Sequence, residues 1–466
     1  EKQWKPTTYI VVCGPGNNGG DGFVVAELAR KAGRNVHLFS THVSTHYKGD
    51  AKQALDDWTG DNNELLFNAG ELSQKYRALI NSATDKTVLV DAVFGAGLTR
   101  SLDGVHEAYV NSVSGKKINI LSVDVPTGVN GNTGRLESAS ISADLTVTFA
   151  ARKPAHCLYP AAERCGKVTV ADIGIEDSII AELSDARLNS PDLWLDKFPW
   201  PSISAYKHRR GKLNVLAGPA GATGAARLAA RAGLRSGAGL VTLWGRPAAI
   251  PEMAASSLAV MTQAYESMEQ YLTATADGDA CVFGPAAGLT SQTRDTTLLL
   301  LRRTTPLVLD ADSLSIFEGD AELLHSVLHG DTVVTPHQGE FRRIFPDVLV
   351  SASSKTEAVR LAAKKTGAVV VLKGPDTVIA SPEGRVVVNN HASSFLATAG
   401  SGDVLAGIIG GLMAQGMKSF DAACCGVWLH GDSALRLGPG LIAEDLTEML
   451  PETLSELYEL SMQKNT

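Results

Sequence analysis

Residues 398–412 read TAGSGDVLAGIIGGL, a glycine-rich turn that leads directly into an apolar stretch of small residues. The apolar stretch predicts a buried helix, and the turn leaves backbone N–H groups free to face an anion at the helix N-terminus. Asp403 lies at the entrance of this helix, where its carboxylate can accept a proton from an attacking hydroxyl group. A helix cap is the alternative role, since Asp is a favoured capping residue. The Gly-x-Gly-Asp order before a glycine-rich helix favours phosphoryl-transfer chemistry.

On both sides of this segment, short apolar runs alternate with stretches of helical periodicity, as in chains that wind around a parallel sheet. The sequence therefore predicts the α/β fold class, with an N-terminal Rossmann-like parallel-sheet domain followed by a second α/β domain. The stretch 189–204 contains three prolines and two tryptophans and interrupts the alternation. We expect the first domain to span residues 1–196 and the second to span residues 205–466.

The chain has 466 residues and a net charge of -8. This charge argues against a nucleic-acid partner, because binding to a phosphate backbone needs an excess of Lys and Arg. No apolar run is long enough to cross a bilayer, so we expect no membrane partner and a cytoplasmic location. The six cysteines show no metal-binding spacing and are interpreted as reduced core thiols. The chain begins with Glu1 rather than Met, so we expect some N-terminal sequence to be missing.

Three loops of the first half each follow a predicted strand. Residues 13–22 read CGPGNNGGDG, residues 91–98 read DAVFGAGL and residues 122–128 read SVDVPTG. The carboxyl ends of parallel strands meet at one crevice, so the polar side chains of these loops are expected to share a site. Oxygen ligands of this kind suit a hard cation. The candidates are Asn18, Asp91, Asp124 and Thr127.

Two plainer interpretations of these loops remain open. Each Asp could serve only as a turn or helix cap. The first loop could also belong to an ordinary dinucleotide-binding fold, but residues 39–42 read FSTH where an acidic partner for the ribose is expected. A standard NAD-dependent oxidoreductase is therefore disfavoured.

The same three loops resemble the signature blocks of the NAD(P)H-hydrate epimerase family, over nearly all of the first two hundred residues. The resemblance implies that Asn18, Asp91 and Thr127 hold a potassium ion, with Thr127 in the place of the usual Ser. The helical leader common in this family before the first strand is absent. The resemblance also implies a set of residues that bind hydrated NADH or NADPH: Asn17, Asn18, Gly19, Gly20, Asp21, Gly95, Ala96, Gly97, Leu98, Thr99, Arg100, Ser101 and Asp124.

Such an epimerase inverts the hydrated carbon of the nicotinamide ring, which requires a group able to move a proton. We expect Asp124 to be that catalytic group, because burial at a strand end would raise its basicity. Lys48 could assist, although a solvated surface lysine is the plainer interpretation.

In the second half, TPHQGE at 335–340, LKGPDTVI at 372–379 and the Asp403 turn follow one another in the order of the ribokinase-like superfamily. Within that group the half resembles the ADP-dependent NAD(P)H-hydrate dehydratases. The resemblance implies contacts with the hydrated nicotinamide from Ala238, Gly288, His337 and Asp403. It implies contacts with the adenine nucleotide from Lys373, Gly374, Pro375, Asp376, Thr377 and Gly402, and it implies Mg²⁺ with the ADP. A hydrogen-bonded loop histidine is an equal alternative for His337.

Together the two halves imply an enzyme that repairs hydrated NADH and NADPH. One half would interconvert the R and S hydrates, and the other would dehydrate the S hydrate while ADP becomes AMP and phosphate. The alternative is a vitamin-precursor kinase fused to a non-catalytic nucleotide-binding module. We also expect a homo-oligomer. Sequence leaves open the preferences for ADP or ATP and for NADH or NADPH hydrate.

Overall fold

The computed structural model describes residues 4–60, 63–68, 70–255 and 258–464, so Glu1 lies outside the described part. The chain divides into two compact units, residues 1–184 and residues 185–466. No helix in the described ranges combines the length and the apolar character needed to cross a membrane.

Unit 1 alternates strands and helices. Its strands are β1 Thr8–Cys13, β2 Asn35–Ser40, β3 Asn63–Leu65, β4 Phe67–Asn68, β5 Glu71–Leu72, β6 Thr87–Ala92, β7 Asn119–Val123, β8 Leu145–Phe149 and β9 Lys167–Ala171. Its α-helices are α1 Asn17–Lys31, α2 Gly49–Asp56, α3 Gln74–Asn81, α4 Gly104–Val113 and α5 Asp177–Leu183.

Seven of these strands form one parallel sheet in the order β3-β2-β1-β6-β7-β8-β9. The strand order reverses between β1 and β6, so the chain leaves these neighbours in opposite directions and opens a crevice at their carboxyl ends. Apolar side chains fill both faces of the sheet, with Ile10, Val12 and Leu89 on one face and Val11 and Val90 on the other. The predicted Rossmann-like parallel sheet is confirmed.

Unit 2 is larger and follows the same alternation. Its strands are β10 Arg187–Leu188, β11 Lys212–Leu216, β12 Leu240–Gly245, β13 Met261–Ala264, β14 Ala280–Phe283, β15 Leu307–Leu309, β16 Thr332–Val334, β17 Val369–Leu372, β18 Thr377–Ala380 and β19 Val386–Asn389. Its α-helices are α6 Gly224–Arg235, α7 Ile250–Ala254, α8 Met268–Ala274, α9 Ser291–Leu301, α10 Asp312–Ser315, α11 Ala321–His325, α12 Gln338–Ile344, α13 Pro346–Ser351, α14 Lys355–Thr366, α15 Ser401–Ala414, α16 Ser419–Leu437 and α17 Ala443–Lys464.

The ten strands form one sheet in the order β10-β19-β18-β17-β16-β15-β14-β11-β12-β13, and only β18 runs antiparallel to its neighbours. Helix α15 is buried along most of its length. It packs closely against α6, because Gly407 has no side chain: a Cβ there would lie 2.1 Å from the carbonyl oxygen of Ala229. This contact fixes the N-terminus of α15, which carries Asp403.

The boundary between the units lies at residues 184 and 185, earlier than the expected end of the first domain at residue 196. Strand β10 pairs with β19 of unit 2. Asn189 donates hydrogen bonds to Asn389 Oδ1 at 3.0 Å and to the carbonyl oxygen of Cys424 at 2.7 Å. Trp194 is fully buried in the same core. The proline-rich stretch therefore packs on unit 2 instead of linking two domains.

Candidate active sites

Unit 1 contains a cavity of about 580 Å³ at the carboxyl ends of β1, β6 and β7. The three glycine-rich loops expected to share a site therefore meet there. The lining residues are Gly16, Asn17, Asn18, Asp21, Val93, Phe94, Gly95, Ala96, Gly97, Leu98, Thr99, Arg100, Asp124, Phe149 and Lys153.

Three residues of the expected binding set are not among the lining residues of this cavity in the described part of the chain. A Cβ on Gly19 would lie 1.9 Å from the carbonyl oxygen of Gly14, and one on Gly20 would lie 3.0 Å from Ala51 Cα. These two glycines therefore allow α1 to pack closely instead of facing the cavity. Ser101 is exposed, and its hydroxyl group donates to the carbonyl oxygen of Glu137 at 3.2 Å.

Asp124 lies at the floor of the cavity with its backbone in the left-handed region, at a φ of 64°. A non-glycine residue adopts this conformation only where its surroundings hold it there. His156 provides part of that support. Its Nδ1 accepts the backbone N–H of Lys153 at 2.9 Å, so its proton is on Nε2 and is donated to the carbonyl oxygen of Asp124 at 2.8 Å.

The Asp124 carboxylate is held by three donors. Lys153 Nζ lies 2.7 Å from Oδ1, Thr148 Oγ1 donates to Oδ1 at 2.8 Å, and the backbone N–H of Ala96 donates to Oδ2 at 3.0 Å. Burial acts to raise the pKa of Asp124, but the hydrogen bonds from Lys153 and Ala96 outweigh it and hold the pKa below its ordinary value. The expectation that burial makes Asp124 more basic is therefore wrong.

Lys153 is a site residue that sequence reasoning missed. It follows β8, and its ammonium group reaches back into the cavity to pair with Asp124. The available signal was its position, since it stands just beyond the carboxyl end of a parallel strand like the other loop residues. Lys48, the lysine considered from the sequence, is exposed on the segment before α2.

Asp91 and Thr127 lie below the cavity and bond to each other. Asp91 is fully buried and accepts the hydroxyl group and the backbone N–H of Thr127 at 2.6 and 2.9 Å. Ser122 and Tyr109 donate to the same carboxylate at 3.0 and 3.2 Å. Burial raises the pKa of Asp91 in spite of these hydrogen bonds. Asn18 lies beside Gly95 and Asp124, because a Cβ on Gly95 would be 3.1 Å from both Asn18 Oδ1 and Asp124 Oδ2.

In unit 2, three chain segments bring charged groups to the N-terminus of α15. Lys373, at the end of β17, donates to Asp310 Oδ1 at 2.6 Å, and Asp310 follows β15. A Cβ on Gly402 would lie 3.4 Å from Lys373 Nζ and 3.7 Å from Asp310 Oδ2. The structure therefore gathers Lys373, Gly402 and Asp403. It adds Asp310, to which the sequence analysis gave no role.

The charges of this cluster act on one another. The pKa of Asp403 is raised to about 6: burial contributes most, the carboxylate of Asp310 adds to the increase, and Lys373 opposes both. Burial acts to lower the pKa of Lys373, but Asp310 and Glu340 outweigh it, so the pKa is raised. Lys373 is therefore charged, and Asp403 can change its protonation state near neutral pH, as a general base must.

His337 is the N-cap of α12. Its Nδ1 accepts the backbone N–H groups of Gly339 and Glu340 at 2.9 and 3.2 Å, and Glu340 Oε2 accepts the backbone N–H of His337 at 2.7 Å. This capping box gives the ring a structural role and places its proton on Nε2. The side chain is still 55% exposed, which leaves it accessible to a ligand.

The loop expected to hold the nucleotide connects β17 and β18. Thr377 Oγ1 accepts the backbone N–H of Gly374 at 3.2 Å and donates to its carbonyl oxygen at 2.9 Å. Lys355 donates to the side chain and to the carbonyl oxygen of Asp376, the latter at 2.9 Å. The side chains of Asp376 and Thr377 are thus engaged in hydrogen bonds within this region. A nucleotide beside Lys373 would therefore contact mainly the backbone of the loop.

Ala238 does not join this site. It precedes β12, and Gln415, just after the C-terminal end of α15, donates to the neighbouring carbonyl oxygen of Ser236 at 3.0 Å. Asp403 lies at the opposite end of α15, whose 14 residues span about 21 Å. The expectation that Ala238 faces the same ligand as Asp403 is therefore corrected. Gly288 follows β14, on the carboxyl edge, where its N–H donates to Asp312 Oδ2 at 2.8 Å.

Comparison with known proteins identifies the family. The family pattern described as NAD(P)H-hydrate dehydratase matches residues 213–458, and that described as YjeF-related protein N-terminus matches residues 2–155. The bifunctional NAD(P)H-hydrate repair enzyme Nnr of Moorella thermoacetica is 35% identical over 97% of this chain and 88% of its own length. The chain belongs to the bifunctional NAD(P)H-hydrate repair enzyme family.

Other members of the NAD(P)H-hydrate repair enzyme family show the same extent of similarity. The Nnr proteins of Thermofilum pendens and Escherichia coli K12 are 34% and 30% identical over 97% and 95% of this chain. A ribokinase-like superfamily protein from Enterococcus faecalis V583 superposes with a TM-score of 0.53 at 23% identity, over 59% of this chain and 97% of its own. The ribokinase-like fold is confirmed, and a vitamin-precursor kinase fused to a non-catalytic module is not favoured.

Proposed function

We propose that unit 1 interconverts the R and S hydrates of NADH and NADPH, and that unit 2 dehydrates the S hydrate at the expense of ADP. The observation that carries the proposal is the group of Asp403, Lys373 and Asp310 at a glycine-rich helix N-terminus. A carboxylate with a pKa of about 6 beside an anion-binding turn is suited to activate a hydroxyl group for phosphoryl transfer.

The hydroxyl group that the dehydration removes from the substrate is a poor leaving group. Asp403 takes the proton of the substrate hydroxyl group, whose oxygen attacks the terminal phosphorus of ADP, and AMP departs. Lys373 and the N–H groups of the turn around Gly402 stabilise the charge on the transferring phosphoryl group. The C–O bond then breaks with release of phosphate, driven by the electron pair of the ring nitrogen. Loss of a proton from the neighbouring ring carbon restores the reduced nicotinamide.

The acidic side chains of this site fit a divalent cation. Three carboxylates, of Asp310, Glu340 and Asp403, surround the single ammonium group of Lys373, which leaves an excess of negative charge. Burial raises the pKa of Glu340 and outweighs the opposing charge of Lys373. Asp310 and Glu340 would hold Mg²⁺, which would neutralise phosphate charge when bound.

The reaction proposed for unit 1 needs no phosphoryl transfer, because inversion of the hydrated carbon consumes no nucleotide. The charge distribution of the cavity suits a ring that becomes cationic as its hydroxyl group loosens. The Asp124 carboxylate, kept ionised by Lys153, can stabilise that positive charge. Gly95 and Gly97 also line the cavity, and because they have no side chain the polar groups of the substrate can approach their backbone.

A potassium ion below this cavity fits the chemistry of Asp91. Its carboxylate is fully buried, and the four groups that donate to it are neutral, so no protein cation balances its charge among these partners. Asp91, Thr127 and Asn18 supply the oxygen atoms that a hard cation prefers. We propose that these three residues hold K⁺, which would fix the floor of the substrate site.

The decisive experiment supplies the purified S hydrate of NADH with ADP and Mg²⁺ and follows the return of the near-ultraviolet absorbance of the reduced nicotinamide ring. Asp403→Asn is expected to lower the rate about 100- to 10,000-fold. The matched control is Asp347→Asn, an exposed Asp in the first turn of α13. Consumption of ADP without recovery of reduced coenzyme would refute the proposal.

We also propose a cytoplasmic location and a homo-oligomeric state. All six cysteines are buried and no disulfide joins any of them in the described residues, which is usual for proteins of a reducing compartment. Size-exclusion chromatography with light scattering tests the oligomeric state.

A further inference from the structure

Four ionisable side chains line the cavity of unit 1: Asp21, Arg100, Asp124 and Lys153. The isomerisation proposed above, on which this inference rests, needs one of them to give a proton to a leaving hydroxyl group and to take a proton back. A guanidinium group is too weak an acid to serve as a proton carrier, which excludes the arginine. The proton carrier therefore has to be found among the two carboxylates and the lysine.

Asp124 and Lys153 are engaged with each other. The ammonium group of Lys153 has three protons and three acceptors: Asp124 Oδ1 at 2.7 Å, Thr148 Oγ1 at 2.8 Å and the carbonyl oxygen of Phe149 at 3.1 Å. Asp124 accepts from Lys153, Thr148 and Ala96. Protonating Asp124 would disrupt this network, so the pair is suited to hold the substrate and poorly suited to carry a proton.

Asp21 has the opposite surroundings. Its half-buried carboxyl group makes no hydrogen bond or ion pair with any residue in the described ranges. Helix α1 holds the Asp21 side chain at the cavity. The adjacent Gly22 packs tightly against β1, since a Cβ on Gly22 would lie 2.6 Å from Cys13 Sγ. Burial and the negative charge of Asp124 raise the pKa of Asp21. The two carboxyl groups of the cavity are thus shifted in opposite directions, which is a common basis for dividing acid and electrostatic roles.

We infer that Asp21 is the catalytic residue that moves the proton in the isomerisation, while Asp124 and Lys153 orient the substrate. Asp21 protonates the hydroxyl group, the C–O bond breaks, and water departs as the ring nitrogen forms a C=N double bond. Water then adds to the other face, a new C–O bond forms, and the C=N electrons return to nitrogen. The surplus proton of the added water returns through solvent to Asp21. Nothing is oxidised or reduced, and the net change is inversion.

The test measures interconversion of the R and S hydrates by chromatography with the full-length enzyme. Asp21→Ala is expected to lower kcat about 100- to 10,000-fold, with KM changed less than roughly threefold. Sodium formate, a small carboxylic acid that fits the space left by the side chain, is expected to restore the rate at least about tenfold. A purely structural role for Asp21 would not produce this rescue.

Two controls accompany the variant. Asp50→Asn removes an exposed carboxylate from the first turn of the neighbouring helix α2 and is expected to leave the rate unchanged. A circular dichroism spectrum and a melting temperature of Asp21→Ala that match those of the wild type show that unit 1 is folded. Retention of the wild-type kcat, a loss confined to KM, or a kcat loss that formate does not relieve would each overturn the inference. Failure of the wild-type enzyme to interconvert the hydrates would instead refute the proposed function.

Discussion

Asp403 shows how a common side chain becomes a base that is useful near neutral pH. Desolvation raises its pKa, and the neighbouring Asp310 adds to the effect, while Lys373 limits it. The backbone turn alone would favour the ionised form, because a helix N-terminus stabilises negative charge. The balance among burial, one carboxylate and one ammonium group therefore sets the basicity of the site.

The pH dependence of dehydration follows from this balance. As a base, Asp403 has to be ionised, so the rate is expected to fall as the pH decreases through about 6. Asp310→Asn removes a negative charge that raises the pKa of Asp403, so the acidic limb of kcat/KM should move to lower pH. A limb that moves to higher pH in this variant would contradict the electrostatic account.

Asp91 supports a second prediction at the level of single residues. Replacing Na⁺ by K⁺ at constant ionic strength should raise the melting temperature of the wild-type protein. At K⁺ concentrations tenfold above Kd, the free energy of unfolding should increase by about 1.4 kcal/mol. Asp91→Asn keeps the size of the side chain but loses its charge, so its melting temperature should not respond to the exchange. An equal response of both proteins would exclude Asp91 from the ion site.

Among the structural elements, the pair α6 and α15 positions the phosphoryl-transfer site. Gly407 allows the two helices to approach until a Cβ would overlap the backbone of Ala229. Gly407→Ala should therefore reduce the free energy of unfolding by about 1–3 kcal/mol, because overpacking forces the helices apart. Gly224→Ala is the control, since open space surrounds that position on α6. Chemical denaturation measures both variants, and equal stabilities would contradict the packing argument.

The elements also show what sequence can and cannot reveal about a site. The alternation of strands and helices predicted both sheets, and the loops after β1, β6 and β7 meet as expected. The two errors in placing site residues, the inclusion of Ala238 and the omission of Lys153, have the same physical reason. Ala238 precedes its strand and so lies at the amino edge, whereas Lys153 follows its strand and reaches the site. The rule that ligands bind at the carboxyl edge would have excluded the first and found the second.

Other features depend on contacts that a single sequence does not contain. The pKa of Asp124 falls because Lys153, which lies beyond the next strand of the chain, approaches its carboxylate. The prolines of residues 189–204 revealed an interruption of the pattern but not the unit on which this stretch packs. Charge pairing and packing partners are decided by tertiary structure.

The whole molecule combines an isomerase with an enzyme that consumes one isomer. Given an equal mixture of R and S hydrates with ADP, the wild-type protein should restore nearly all of the coenzyme. Asp124→Asn should restore the S half at the wild-type rate and the R half more slowly than the wild type, because the variant no longer holds the substrate correctly for interconversion. Chiral separation of the remaining hydrate measures this outcome. Complete and rapid recovery by the variant would show that unit 1 does not supply the second unit with substrate.

The pairing of β10 with β19 sets a practical limit on shortening the protein. A fragment that starts at residue 205 would lack the outermost strand and Trp194, whose indole packs beside Trp428 of α16. The bare edge of β19 would then offer unpaired amides to other molecules, which promotes aggregation. A fragment that starts at residue 185 should remain monodisperse by light scattering, while the shorter one should precipitate. Residues 185–204 thus help to keep unit 2 in solution, because they cover the edge of its sheet.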